Sequence, residues 1–260
     1  MTYKKFALDL AKQAGKVMLA NFVLGMNKTI KKDGTPVTKA DLAINKMVVD
    51  SVKKHFPTHG VLGEEQSNII ANSEFVWVCD PVDGTIPFSR GMPTCMFSLA
   101  LTQNGKPILG VAYDPFLDRM FLAELGKGAF LNGKRIKVSG HGKLKGAFVS
   151  DGLWNMEKYY MPNLVHEFIF KKDVNIFPLG SVVYNGMLLA AGQLDGILFN
   201  SNTAHDVAAV KIIVEEAGGK VTDFFGNEQR YDREDIKGCL ISNGVLHKDL
   251  LKMIKKHISS

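Results

Sequence analysis

The sequence predicts an α/β (α+β) protein in two closely packed parts, and three observations carry that reading. Two amphipathic helical stripes open the chain, short apolar strands separated by turn signals follow, and strands alternate with helices through the remainder. No Pro/Ser-rich or low-complexity stretch marks a linker. The expected division is an N-terminal α+β domain over residues 1–140 joined intimately to a C-terminal α/β domain over 141–260.

Residues 3–21 place Ala7, Ala11, Ala14 and Met18 at steps of three and four, which gathers them on one helix face. Thr38 opens a second helix, with Asp41 three residues on in the manner of a capping box and Ile44, Val48 and Val52 as the apolar stripe. Pro57 and Gly60 close it. Residues 75–79, Phe-Val-Trp-Val-Cys, read as a buried strand running into the turn Asp80-Pro81-Val82-Asp83-Gly84-Thr85. Strand-like runs at 97–101, 108–113 and 120–123, punctuated by Asn104-Gly105 and Asp114-Pro115, predict an antiparallel meander.

Beyond Gly140 the sequence predicts a strand at 147–150 and a helix at 182–191 ended by Gly192. A strand at 194–199 comes next. Asp206 then opens a helix carrying Val207, Val210, Val214 and Ala217 before Gly218-Gly219.

Composition narrows the class. With 46% hydrophobic and 22% charged residues, the chain has enough apolar material for a substantial core. No apolar run reaches membrane-spanning length, and the start Met-Thr-Tyr-Lys-Lys lacks an uncharged export segment. Three widely spaced cysteines, Cys79, Cys95 and Cys239, show neither zinc spacing nor disulfide density, which fits a reducing cytoplasm. The net charge of +6 is spread over scattered pairs such as Lys4-Lys5, Lys31-Lys32 and Lys255-Lys256. That pattern favours a solvated basic surface over a nucleic-acid or membrane partner, and a positive field also helps gather anionic substrates.

Acidic residues stand where strands or loops meet turns: Glu64 and Glu65 after Gly63, Asp80 with Asp83, and Asp206 at a helix start. Each has a bland explanation. The glutamates serve as solvated charges, Asp80 and Asp83 as turn formers, and Asp206 as an N-cap. Together they point elsewhere, because carboxylates clustered by a fold repel unless cations neutralise them, and hard oxygen ligands suit Mg2+ or Mn2+. No His/Cys ligand set is evident, which argues against zinc. Gly84 followed by Thr85, if the pair opens a helix, offers backbone N–H groups to a phosphate. Hydrolysis of a phosphate monoester is the chemistry this combination suggests.

Five segments in order resemble the inositol monophosphatase family across nearly the whole chain. They are Val37-Thr38-Lys39-Ala40-Asp41, Gly63-Glu64-Glu65, Asp80-Pro81-Val82-Asp83-Gly84-Thr85, Gly126-Lys127-Gly128-Ala129-Phe130-Leu131-Asn132-Gly133 and Asp206-Val207-Ala208-Ala209. The resemblance implies a layered α-β-α-β-α sandwich of the sugar phosphatase type. It also implies one Mg2+ held by Glu64, Asp80 and the Val82 carbonyl, a second held by Asp80, Asp83 and Asp206, and a weaker third near Glu64. Thr85, oriented by Asp41, would share with Glu64 the positioning of the nucleophilic water. Asp83, Gly84, Thr85, Gly180, Ser181, Phe199 and Asp206 would meet the substrate. A small phosphorylated metabolite, a homodimer and lithium sensitivity complete the implied picture.

The substrate end departs from that pattern. Ile86-Pro87-Phe88 stands where many members have a residue and then Asn-Phe, Phe199 replaces a Glu that contacts inositol hydroxyls, and His205 replaces a Trp before Asp206. A phenyl ring cannot accept the hydrogen bonds a carboxylate offers a polyol. Phe199, Tyr184 and His205 therefore favour another leaving group or serve only as packing. Histidinol phosphate, a sugar phosphate and the 2'-phosphate of NADP(H) are alternatives with the same chemistry. A regulatory protein that binds transcription or ribosomal assemblies is an alternative of another class.

Overall fold

The computed structural model describes residues 1–24, 26, 28–31, 34, 36–152, 159 and 161–258; Lys32, in one of the basic pairs noted above, lies outside them. The two opening helices form where the periodicity places them. Ala7, Ala11, Ala14 and Met18 are fully buried along α1 (Tyr3–Asn21), and Ile44, Val48 and Val52 along α2 (Lys39–His55). Between these helices, β1 (Lys28–Ile30) and β2 (Pro36–Thr38) pair as a short antiparallel hairpin. It was not legible in the sequence, since three-residue strands carry too little alternation to read.

A seven-stranded sheet occupies the next stretch: β3 (Gly60–Gly63), β4 (Phe75–Asp83), β5 (Met96–Gln103), β6 (Lys106–Asp114), β7 (Arg119–Glu124), β8 (Gly128–Leu131) and β9 (Lys134–Arg135). Its strands lie in chain order, with β3 parallel to β4 and every later pair antiparallel, so the expected meander is present. Short helix α3 (Thr85–Ser89) links β4 to β5. Alternation along β4 feeds two cores. Trp77 and Cys79 join the cluster under α1 and α2, while Val76 and Val78 point to the opposite face.

The second sheet contains β10 (Phe148–Gly152), β11 (Asn175–Ile176), β12 (Gly196–Phe199), β13 (Lys220–Thr222) and β14 (Cys239–Ser242), in the order β11-β10-β12-β14-β13. Helices α4 (Pro162–Lys172), α5 (Val182–Ala190), α6 (Ala208–Glu216) and α7 (His247–His257) complete the described elements. Along β12, Ile197 and Phe199 belong to the central cluster and Leu198 to the outer one, again with a period of two.

These clusters define five layers. Helices α1 and α2 cover one face of the large sheet, α5 and α6 fill the space between the sheets, and α4 and α7 close the far face of the small sheet. The α-β-α-β-α arrangement is thus present, and its central cluster draws on residues from both halves of the chain. Helix α6 crosses the large sheet at Gly110 of β6, where an added Cβ would lie 2.5 Å from Ile212 Cγ2 and 3.0 Å from the Ala209 carbonyl. That close approach brings the residues preceding α6 to the end of β4.

Two local readings are corrected. Strand β4 does not stop at Cys79 but continues to Asp83, with a register shift against β5 between Asp80 and Asp83. A bulge there re-aims side chains without ending the strand. Helix α6 begins at Ala208 with Val207 as its N-cap, so Asp206 sits in the preceding turn and does not cap the helix. Its carboxylate accepts instead from the Thr203 hydroxyl.

Candidate metal and active site

The bulged end of β4 gathers acidic groups. Asp80 continues the face of Val76 and Val78 toward the layer of α5 and α6, is 2% exposed, and accepts from the Val82 amide at 3.0 Å. Asp83 is buried against the start of α5. Its carboxylate accepts from the Val183 amide at 2.8 Å, the Val182 amide at 3.3 Å and the Ser181 hydroxyl. Oxygens of Asp80, Asp83 and Asp206 all lie within 4.8 Å of one another, although Asp206 is more than 120 residues away in sequence. Glu64, just past β3, and Asp80 share a second cluster of the same size with a ring nitrogen of His205. Asp41, Glu64 and Glu65 make a third. Asp80 thus belongs to two clusters and Glu64 to two.

Burial and crowding penalise ionisation here. Asp80 titrates well above the ordinary carboxylate range, first because it is buried and then because Glu64, Asp83 and Asp206 surround it. Asp83 is pushed up to about 7 by burial and by Asp206, despite the donors at the start of α5 that favour its charged form. Asp206 is also raised, by burial first, with His205 and Thr203 opposing. Asp41 rises to about 6 through burial.

Gly84 has φ of +86° and precedes α3, a left-handed conformation natural to glycine. A Cβ there would lie 2.8 Å from the Thr94 carbonyl and 3.0 Å from Ser181 Cβ. The following Thr85 hydroxyl lies 3.0 Å from the Val82 carbonyl and 3.2 Å from Asp41 Oδ1. Asp41 has two jobs. Its Oδ2 accepts the Thr38 amide at 2.9 Å and the Thr38 hydroxyl, which fixes the start of α2, while Oδ1 faces Thr85.

Other sequence-predicted residues fall as follows. Ser181 caps α5 and donates to Asp83, and Gly180 precedes it with φ of +73°. Phe199 is 2% exposed in the central cluster, so its ring is packing and not an open wall. Tyr184 is half-buried on α5 with the Arg119 guanidinium 5.1 Å above its ring. Glu65 is not a solvated charge: its side chain is 7% exposed and lies 2.8 Å from Lys31 Nζ.

Sequence reasoning missed three groups. Lys31, beyond β1, reaches both Glu64 and Glu65 at 2.8 Å. Those two carboxylates outweigh the burial that would otherwise weaken the ammonium and hold its pKa above the ordinary lysine value. His205, named in the sequence only for the substrate end, shares one cluster with Glu64 and Asp80, a ligand role the sequence reading did not give it. Glu234 holds that imidazole at 2.6 Å and also accepts the Ala204 amide. Burial works against a charged His205 ring, but Asp206, the Glu234 hydrogen bond and Glu64 lift it to about 9. Only His205, adjacent to Asp206 in the chain, carried any sequence signal.

Comparisons with known proteins agree with this geometry. The family model described as inositol monophosphatase family matches residues 2–259. A Thermotoga maritima protein named fructose-1,6-bisphosphatase/inositol-1-monophosphatase is 34% identical over 253 residues, spanning 96% of this chain and 95% of its own. A Pseudomonas aeruginosa protein named Nus factor SuhB is 31% identical, spanning 97% and 95%. The solved structure of a Thermotoga maritima IMPase superposes with a TM-score of 0.89 at 32% identity, covering 99% of this chain and 98% of that one.

Proposed function

The chain belongs to the inositol monophosphatase family, and on that premise we propose that it hydrolyses a small phosphate monoester in a Mg2+-dependent reaction. The observation that carries this reading is the convergence of Asp80, Asp83 and Asp206 within 4.8 Å. No lysine or arginine among the described residues pairs with any of the three; the one basic neighbour is His205. Carboxylates this close and this buried are stable as anions only beside a cation, and their all-oxygen donor set fits Mg2+ or Mn2+. Asp80, Asp83 and Asp206 would hold one ion, and Glu64, Asp80 and the Val82 carbonyl another; at the Glu64–Glu65 edge, where the resemblance implies a weaker third, Lys31 already supplies the positive charge. When bound, such ions polarise phosphate oxygens, acidify water and stabilise a leaving alkoxide.

The protein's own groups supply orientation. With its one hydrogen shared between the Val82 carbonyl at 3.0 Å and Asp41 Oδ1 at 3.2 Å, the Thr85 hydroxyl keeps an oxygen lone pair to accept from a water molecule. Glu64, steadied by Lys31, offers the second acceptor for that water. Backbone N–H groups at the start of α3 would be available to a phosphate, and the Gly84 conformation lets the chain turn there. Asp83, anchored by Ser181 and the α5 amides, is held rigid against the pull of a cation.

Substrate identity rests on the other wall. With Phe199 in the packing where the resemblance implies a hydroxyl-binding Glu, inositol phosphate loses its favoured status and histidinol phosphate, a sugar phosphate and NADP(H) stand beside it. Lithium inhibition, a homodimer and a cytoplasmic location go with the same reading. The test is phosphate release from inositol-1-phosphate, histidinol phosphate, fructose-1,6-bisphosphate, NADP and 3'-phosphoadenosine 5'-phosphate, with Mg2+ and then with EDTA. Metal-dependent turnover of one strongly preferred compound is the expected result; no release from any overturns the reading.

Likeness to a protein named Nus factor favours a second reading, a regulatory role that needs no turnover. Asp83→Asn protein that recovers transcription or ribosomal assemblies as well as the unaltered chain does would support it. The complete carboxylate set argues for the enzymatic reading, because a scaffold gains nothing from burying repelling charges.

A further inference from the structure

One titratable contact stands outside the all-oxygen scheme. His205 is 9% exposed and its ring lies between two acidic groups with different duties. On one side Nδ1 is 2.6 Å from Glu234 Oε1. An ionised carboxylate only accepts, so Nδ1 keeps its hydrogen, and Nε2 is the nitrogen that would release its proton to a bound cation and serve as a donor atom. On the other side a ring nitrogen lies within 4.8 Å of the Glu64 and Asp80 carboxylate oxygens. Nε2 is 3.8 Å from Asp206 Oδ2, beyond hydrogen-bond reach, and has no other partner among the described residues. Glu234 is itself braced by the Ala204 amide, so the ring is held from one side and aimed to the other.

A histidine whose far nitrogen is tied to a carboxylate while its near nitrogen faces a divalent cation is a recurrent ligand arrangement. The outer carboxylate fixes the tautomer and strengthens the donor. We infer that His205 Nε2 is a nitrogen ligand to the ion held by Glu64 and Asp80, that Glu234 is its positioning residue, and that this mixed N/O set favours Mn2+ over Mg2+. The inference rests on the phosphatase reading in taking Glu64 and Asp80 to bind a cation. The preference is a relative one: Mn2+, as a first-row transition ion, accepts an imidazole nitrogen beside carboxylates more readily than Mg2+, which is bound chiefly through oxygen. Zn2+ also suits an imidazole beside carboxylates, so the chelator-stripped chain is loaded with one metal at a time.

The experiment loads the chelator-stripped full chain with Mn2+ and records pulsed EPR, with 14N-histidine and then 15N-histidine protein, beside His205→Phe and Glu234→Gln. Folding of each variant is checked by circular dichroism and melting. A directly bonded nitrogen coupling that changes with the isotope and vanishes in His205→Phe is expected. Mn2+ affinity should fall roughly tenfold or more in His205→Phe and about tenfold in Glu234→Gln, with a smaller change for Mg2+. Tight Mn2+ binding without a histidine coupling overturns the inference and leaves the phosphatase reading intact. No Mn2+ or Mg2+ binding by the folded, unaltered chain overturns both. Should His205→Phe not fold, the isotope comparison in the unaltered chain still decides the matter.

Discussion

Two regions of this molecule bury clustered charge, and they solve the problem differently. At Lys211 on α6 the protein supplies its own cation. The side chain is 8% exposed, and Nζ lies 2.6 Å from Glu215, 2.7 Å from Glu228 and 3.0 Å from the Val221 carbonyl. At the end of β4 Asp80, Asp83 and Asp206 converge with no lysine or arginine partner among the described residues. One cluster is closed by its own lysine; the other sets the single His205 ring against Glu64 and three aspartates and is left open, short of positive charge. The difference teaches that buried acidity signals a ligand only where the fold withholds the counter-charge, and that Lys211 with its glutamates is a structural tie.

Breaking each cluster should give opposite results. Asp83→Asn removes one buried anion and a proposed cation ligand, so turnover should drop about a hundredfold or more, the size seen when one strong electrostatic contact to a transition state is lost. Its melting temperature in EDTA should change little, because the loss of a repelling charge is offset by the acceptor oxygen that the Ser181–Val183 donors lose. Near-normal turnover by folded Asp83→Asn would sink the assignment. Lys211→Met should do the reverse. It strands Glu215, whose side chain is 35% exposed, while Glu228, 69% exposed, keeps its water, so we expect a loss of about 1–2 kcal/mol, well below the cost of breaking a fully buried pair. Melting would fall by a few degrees with metal affinity unchanged. A shift in metal affinity would show that the two regions are coupled.

A smaller effect separates binding from orientation within the open cluster. Thr85→Ala should lower turnover roughly tenfold or more through loss of the water-orienting hydroxyl, while Mg2+ affinity stays close to that of the unaltered chain. Equal losses in rate and affinity would contradict that role.

The pH response sharpens the comparison further. Asp83 titrates near 7 in the folded chain against about 4 unfolded, and Asp80 and Asp206 are displaced the same way. Such groups hold their protons longer when folded, so the stability they add is complete below about pH 4 and is lost as pH rises through about 7. A cation binds the ionised form and reverses that loss. The rise in melting temperature caused by Mg2+ over EDTA should therefore be slight near pH 4 and grow by a few degrees toward pH 7 and above. A difference independent of pH would separate the acidic cluster from metal binding.

The legible parts of the structure were those written in local periodicity. The stripes of α1 and α2, the apolar run of β4 and the turn signals of the meander each act within a dozen residues, so sequence spacing revealed them. Asp80 and Asp83 were readable only in combination with Glu64 and Asp206, since each alone passes for a turn former, and the water-positioning role of Thr85 came with the family resemblance. Lys31 and Glu234 were not readable. Lys31 follows a three-residue strand and Glu234 sits in an irregular loop 29 residues from its histidine, so only the packed sheets bring either to the site. The start of α6 was misread because Asp before an apolar stripe is a common cap, and nothing local says that Asp206 is held back in the turn by Thr203.

The most direct test of the open-cluster account is a calorimetric titration of Mg2+ into the chelator-stripped chain at pH 7, repeated with Asp80→Asn. The account expects saturable binding by the unaltered chain and a large loss in the variant, because Asp80 belongs to two of the clusters. Absence of binding by folded, unaltered protein, or equal binding by Asp80→Asn, would contradict it.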